Sequence, residues 1–229
     1  MRLFRILFFS ILCGLSSLGG QSVSSEEVPP IQANLTGVSL NQNVRDLYLW
    51  TGKEYTQVNF YPGVRTRRVA YAGSRFVGLY KKINKGEGEV EWTMVAQAEL
   101  KGNASDYLIF VSKDPASSTV GMFAIPEDLA QFKIGSYRFI NLTNKRLAIK
   151  LGDVQSVLKP MGVKDVFREM EHGTSYRSLI VELPENDIGV ESKLLFSSSI
   201  YFNENVRMLY LISNNENGSG IRLTGIPQK

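Results

Sequence analysis

Cysteine is all but missing from this chain: Cys13 is the only one among 229 residues. It falls in an N-terminal stretch whose pattern predicts removal on export, so the mature chain would carry none. That excludes disulfides as a source of stability, and thiol chemistry and Cys-ligated zinc as a source of function. Histidine is as scarce. His172 stands alone, between Glu171 and Gly173, in the setting of a solvated turn. A zinc site would need further His or Cys ligands. A Ser-His-Asp triad would have to use His172 without any Gly-x-Ser-x-Gly elbow to present its nucleophile. Helical periodicity is missing too, since no stretch sustains an apolar residue every 3.6 positions. Beyond the N-terminus no apolar run approaches the roughly 20 residues of a membrane-spanning helix. These absences argue against an enzyme, a metal or cofactor site and a spanning protein.

Charge of one sign is missing in one place. No acidic residue stands between Glu54 and Glu87, while Arg65, Arg67, Arg68, Arg75, Lys81, Lys82 and Lys85 all do. Over the whole chain the excess is only +4, and it shrinks further without Arg2 and Arg5, which is too balanced for a nucleic-acid partner.

Arg2 and Arg5 precede an apolar run over residues 6–15, followed by Ser16, Ser17, Gly19 and Gly20. This is the layout of a cleaved signal peptide over residues 1–20. Leu12 occupies the position where a lipoprotein signal wants a small residue. Residues 21–31 are polar with two prolines and read as a disordered lead-in. The mature protein is thus expected outside the cytoplasm: periplasmic, cell-surface or secreted.

What remains reads as short strands separated by turns. Residues 44–50, 56–60, 66–71, 75–82, 89–100, 107–112 and 120–125 each read as a strand, with Gly52, Pro62-Gly63 and residues 84–88 as turns. In residues 89–100, Val90, Trp92, Met94, Ala96, Ala98 and Leu100 alternate with polar residues, interrupted only by Val95. That pattern predicts one face on a core and one in water. Residues 107–112 are nearly all apolar, as expected of a strand buried on both faces. Residues 135–162 break into three further strands around Asn144-Lys145 and Gly152-Asp153. Two segments could turn helical: residues 126–128, where a proline and two acids could start a single turn, and residues 163–171, where Pro160 and Gly162 fit a strand entry equally well.

The chain also resembles itself. Residues 107–112 match 208–213 at an offset of 101 (Ser112 to Ser213), and the match continues to Ile125-Pro126 against Ile226-Pro227. Thr51-Gly52-Lys53 against Thr143-Asn144-Lys145, at an offset of 92, would put about nine extra residues into the second copy. The expected fold is therefore all-β: two tandem immunoglobulin-like β-sandwich modules, over residues 32–132 and 133–229.

The acid-free segment interleaves Tyr55, Phe60, Tyr61, Tyr71, Phe76 and Tyr80 with its cations. Arginine with aromatics suits an acidic polysaccharide or another polyanion, and aromatics alone suit a neutral carbohydrate. The candidate ligand-binding residues are Arg65, Arg67, Arg75 and Lys81 with Tyr71 and Tyr80. The plainer reading is a basic solvent face over an aromatic core. Residues 214–220 have calcium-loop composition with a single acid, Glu216, and read as a surface hairpin. Asn34, Asn103, Asn141 and Asn217 begin Asn-x-Ser/Thr sequons.

The stretch IPEDLAQFKIGSYRFINLTNKRLAIKLGDVQSVLKPMG and the tail RMLYLISNNENGSGIRLTGIP resemble exported bacterial tandem β-sandwich proteins of unassigned function. Those proteins share a G-S-y-r-f-x-N-L-T strand, an L-x-P-G turn and a closing Ile-Pro; here Met161 separates Pro160 from Gly162. The resemblance implies the fold and the export and brings no catalytic residues. Two sandwiches behind a signal peptide are also similar in size to pilus-assembly chaperones, without the Ile-Pro-Pro ending expected of those. The leading functional expectation is a non-enzymatic binding or envelope-structural protein, with an envelope protein or an acidic polysaccharide as its partner.

Overall fold

The computed structural model describes residues 30–86, 88–128, 132–167, 173–184, 192–215 and 220–228. The expected signal peptide, most of the expected lead-in, His172 and Asn217 lie outside the described residues. The fold is all-β. The first half supplies β1 (Ile31–Ser39), β2 (Val44–Trp50), β3 (Tyr55–Phe60), β4 (Val69–Gly73), β5 (Phe76–Gly86), β6 (Glu89–Glu99), β7 (Asp106–Lys113) and β8 (Val120–Pro126). The second half supplies β9 (Ser136–Asn141), β10 (Leu147–Leu151), β11 (Val154–Leu158), β12 (Val163–Phe167), β13 (Ser175–Glu182), β14 (Lys193–Tyr201), β15 (Arg207–Asn214) and β16 (Ile221–Gln228).

The structure corrects one sequence expectation and decides another. Ile31 begins a strand that composition hid, because β1 carries Asn34, Thr36 and Gly37 among its few apolar residues. Of the two readings open for residues 163–171, residues 163–167 take the strand. Pro126 closes β8 and the Glu127 amide donates to the Asp106 carbonyl at 2.8 Å; the helical turn expected to start at residues 126–128 would run through residues 129–131, which lie outside the described residues.

The strands form four four-stranded sheets, ordered β4-β1-β7-β8, β3-β2-β5-β6, β12-β9-β15-β16 and β11-β10-β13-β14. The first two sheets enclose one core, built on Leu35, Leu47, Leu79, Leu100 and Ile109, and the last two enclose another, built on Phe139, Leu147, Ile149 and Ile180. A third apolar cluster joins the two sandwiches. Val38, Leu108, Phe110 and Ile125 of the first pack with Ile140, Leu209, Leu211 and Ile226 of the second. Sheet β4-β1-β7-β8 therefore has one face in its own core and the other against β12-β9-β15-β16. This is why residues 107–111 are apolar throughout and buried throughout, and why all of β9 is buried. At roughly 1.5–3 kcal/mol per fully buried large apolar side chain, this seam is a core and not a linker contact.

The two halves have the same connectivity. In each, the first strand pairs in parallel with the seventh, and every other ladder is antiparallel. Registers correspond as well. Tyr107 faces Pro126 as Met208 faces Pro227, and Leu49 faces Leu79 as Ile149 faces Ile180. Read along the whole chain, the offset stays between 97 (Val69 to Val166) and 102 (Leu35 to Tyr137). Even a β-bulge is shared: the register slips between Leu79 and Tyr80 in one half and between Ile180 and Val181 in the other. The match at an offset of 92 does not hold. Thr51 follows the second strand of its half, whereas Thr143 precedes the corresponding strand β10. Both are ordinary turn residues, and the second half carries no nine-residue insertion.

Candidate functional site

The bulge decides which face of β6 each residue meets. Leu79 faces Ala96 but Tyr80 faces Met94, so Val95 is the extra residue. Toward the C-terminus Ala98 and Leu100 point into the core. Toward the N-terminus the alternation is inverted. Trp92 and Met94, expected in the core with Ala96 and Ala98, lie on the outside of the sheet. Val95, the one break in the alternation, is the signal that marked this.

Outside, Trp92 meets two tyrosines, one of which also meets a second tryptophan. Tyr48 and Trp50 alternate with the buried Leu47 and Leu49 of β2 and so point outward. Tyr55 stacks on Trp92 with ring centroids 3.9 Å apart and planes 9° from parallel. Tyr48 meets Trp92 edge-on at 4.9 Å, Trp50 lies 4.8 Å from Tyr55, and Tyr80 meets Tyr55 edge-on at 5.1 Å. Tyr80 lies flat across the sheet because Gly78 beneath it has no side chain; a Cβ there would come within 2.8 Å of the ring. Trp50 is 37% exposed, and Met94 beside the cluster is 51% exposed. Burial, and then Tyr80, raise the Tyr55 phenol above its ordinary value, so it remains a neutral hydrogen-bond donor at physiological pH.

The basic residues are scattered by the same fold. Arg65 is not on the surface array: its guanidinium forms a two-point ion pair with Glu127, whose side chain is only 2% exposed. Arg138 and Arg207 of the second half converge on the same segment. Arg138 pairs with Asp165 at 2.6 and 2.7 Å and donates to the Pro126 carbonyl at 2.7 Å, and Arg207 donates to the carbonyls of Glu127 and Phe132. Arg65 is thus part of a latch between the sandwiches, which a sequence reading had no means to find. Tyr71 is 4% exposed and gives its hydroxyl to the Ser74 carbonyl at 2.6 Å. Arg67, Arg75 and Lys81 are exposed, on different elements. Lys81 alternates with Tyr80 and lies on the opposite side of β5. Of the six candidate residues, only Tyr80 belongs to the aromatic cluster.

Arg67 faces a concavity of about 540 Å³, with Lys53, Arg68, Glu54 and Thr56 among its other walls. Its floor is the turn after β2, where Gly52 adopts φ +90° and a Cβ would lie 1.7 Å from the Ala72 carbonyl oxygen. Thr51 and Thr56 adjoin Trp50 and Tyr55 in sequence, so the basic concavity and the aromatic cluster share an edge. Asn141 of the third sequon is fully buried and donates to three backbone carbonyls, so it serves the fold and no glycan reaches it. Among the described residues no three of His, Cys, Asp and Glu come together as a metal-ligand set, and no helix is long and apolar enough to cross a membrane.

The second half lacks the aromatic cluster. By register, Tyr48, Trp50, Tyr55 and Tyr80 correspond to Ala148, Lys150, Gln155 and Val181. No protein-family model matches the chain, and no curated protein matches it in sequence.

Proposed function

We propose that this is a non-enzymatic exported binding protein of two immunoglobulin-like β-sandwich modules, which arose by duplication and holds a polysaccharide on the aromatic face of the first. The duplication is supported by the common strand order, the near-constant offset and the shared bulge. Export is supported by the pattern of residues 1–20. The observation that carries the binding role is the contrast between the halves. The same connectivity and the same bulge occur in the second sandwich with Ala148, Lys150, Gln155 and Val181 at four of the five positions, so the scaffold does not need aromatic rings there. Five partly exposed rings on one sheet face offer flat, apolar surface to sugar rings, with phenol and indole N–H groups for their hydroxyls.

A polyanion reading retains one support, the concavity of Lys53, Arg67 and Arg68 beside Thr56. An acidic polysaccharide would use both surfaces, its rings on Trp50 and Tyr55 and its carboxylates toward Arg67. Affinity electrophoresis through gels containing a neutral glucan or a uronic-acid polymer separates these cases. Retardation by at least one polymer, abolished in Trp50→Ala and Trp92→Ala while the fold is kept, is the expected result. Equal migration of parent and variants in every gel would remove the aromatic face from consideration.

A further inference from the structure

In the first sandwich the edge strands β6 and β8 pack against each other and close one side. The corresponding strands of the second, β14 and β16, make no comparable contact, and a pocket of about 480 Å³ opens between them. Its walls include Tyr137, Phe196, Ile200, Met208, Tyr210 and Leu223, and among the described residues no Lys, Arg, Asp or Glu lines it. The first sandwich carries Leu35, Ala96 and Ile109 where the second has Tyr137, Phe196 and Tyr210. Two phenols have therefore been placed in what would otherwise be an aliphatic seam.

The two phenols differ. Tyr137 is satisfied: its oxygen accepts the Asn203 amide at 3.0 Å and its hydroxyl donates to the Tyr201 carbonyl at 3.2 Å. The Tyr210 hydroxyl has no hydrogen-bond partner among the described residues. Its ring is fixed by stacking on Phe139 and Tyr137, at 5.2 and 6.1 Å. That hydroxyl is not sealed from solvent, and it lines the pocket, so it is a donor that an entering acceptor can engage.

We propose that the second sandwich binds an uncharged, lipophilic small molecule between β14 and β16, with one acceptor atom of the ligand taking the Tyr210 hydroxyl. The volume lies within the roughly 300–1,000 Å³ of small-molecule sites. Among the described residues no charged side chain lines the pocket, which favours an uncharged ligand over an ionic one that would be desolvated with no countercharge. Burial, and then Tyr137, push the Tyr210 phenol up to about 12, so it stays a donor at any physiological pH.

The test uses the full chain and Nile red, which is uncharged, lipophilic and carries a carbonyl acceptor. Saturable one-to-one binding with blue-shifted emission is expected. Tyr210→Phe should weaken it about five-fold, the worth of one neutral hydrogen bond, without lowering the unfolding midpoint. Ser198→Trp, which fills the pocket from its rim, should weaken it at least ten-fold, while Trp92→Ala leaves it unchanged and so separates this site from the aromatic face. Non-saturating dye uptake, or binding that persists in a folded Ser198→Trp variant, overturns the proposal. So does a concentration-dependent dimer that excludes the dye, because the pocket would then be filled by a second copy.

Discussion

Tyr55 and Trp92 stack at 3.9 Å although their strands are the first and last of a four-stranded sheet. Three strand spacings in a flat sheet would separate them by about 14 Å. The sheet is therefore strongly coiled, and the cause is visible in its ladders. Only Tyr48↔Tyr80 and Leu49↔Leu79 join β2 to β5, whereas β5 and β6 stay paired out to Gly86↔Glu89. Past Tyr80 the hairpin leaves the sheet as a two-stranded arm, and the bulge at Val95 turns Trp92 back over the outer face. Lys81 to Lys85 are exposed on both sides of that arm.

Trp92→Ala should thus have two separable effects. The stack and the edge contact with Tyr48 are each worth about 0.5–1.5 kcal/mol beyond burial, so the arm should loosen while both cores persist. Hydrogen exchange would show loss of protection confined to residues 81–94. Polysaccharide retention should fall by five-fold or more. Neutral-glucan retention in the parent should barely change with salt, whereas retention through Lys53, Arg67 and Arg68 would weaken steeply as counterions compete.

Replacing arginines in the acid-free segment should sort them by role. Arg65→Ser leaves Glu127 buried without its partner, a loss of about 3–5 kcal/mol. Arg67→Ser and Arg75→Ser alter exposed side chains and should stay within about 0.5 kcal/mol. Denaturant titration of the three variants reads this directly. Equal midpoints for all three would mean that the Arg65–Glu127 pair contributes nothing to the latch.

The sequence made the strands and their repetition legible because period-two burial and turn residues are local signals. Residues 107–112 and 208–213 matched because the same ladder positions face the same apolar seam. Trp92 was misassigned for a physical reason: one inserted residue inverts every side chain beyond it, and Val95 is apolar enough to pass as part of the run. Arg65 was unreadable in another way. Its partner Glu127 lies 62 residues on, and nothing local distinguishes it from the exposed Arg67. β1 was missed because its pairing partner β7, not its own composition, makes it a strand.

Alkaline pH should destabilise the second sandwich through its phenols. Tyr210 is raised from 10.0 to about 12 and Tyr137 is raised as well, both chiefly by burial. Below pH 10 the phenols are protonated in folded and unfolded chains alike, and their contribution is fully present. Between 10 and 12 the unfolded chain loses protons that the folded chain retains, so stability falls as pH rises through that window. Tyr210→Phe should flatten the fall in the unfolding midpoint between pH 9.5 and 11.5. An unchanged slope would mean that Tyr210 ionises as an exposed phenol.

The seam between the sandwiches makes the sharpest prediction about the whole molecule. Leu108 and Leu209 are both 0% exposed and occupy corresponding positions of β7 and β15, as Phe110 and Leu211 do. The surface each sandwich offers is thus made of the same positions on both sides, as in an isologous dimer, but within one chain. Because β7 and β15 also line their own cores, damage to the seam is felt in both halves. Leu108→Ala and Leu209→Ala should each cost about 2–5 kcal/mol and, more tellingly, should shift a single cooperative transition and not one of two. Calorimetry of the parent and both variants decides this. Two resolved transitions in the parent, with only one moved by each substitution, would mean that the sandwiches fold independently and that the third apolar cluster joins them only in passing.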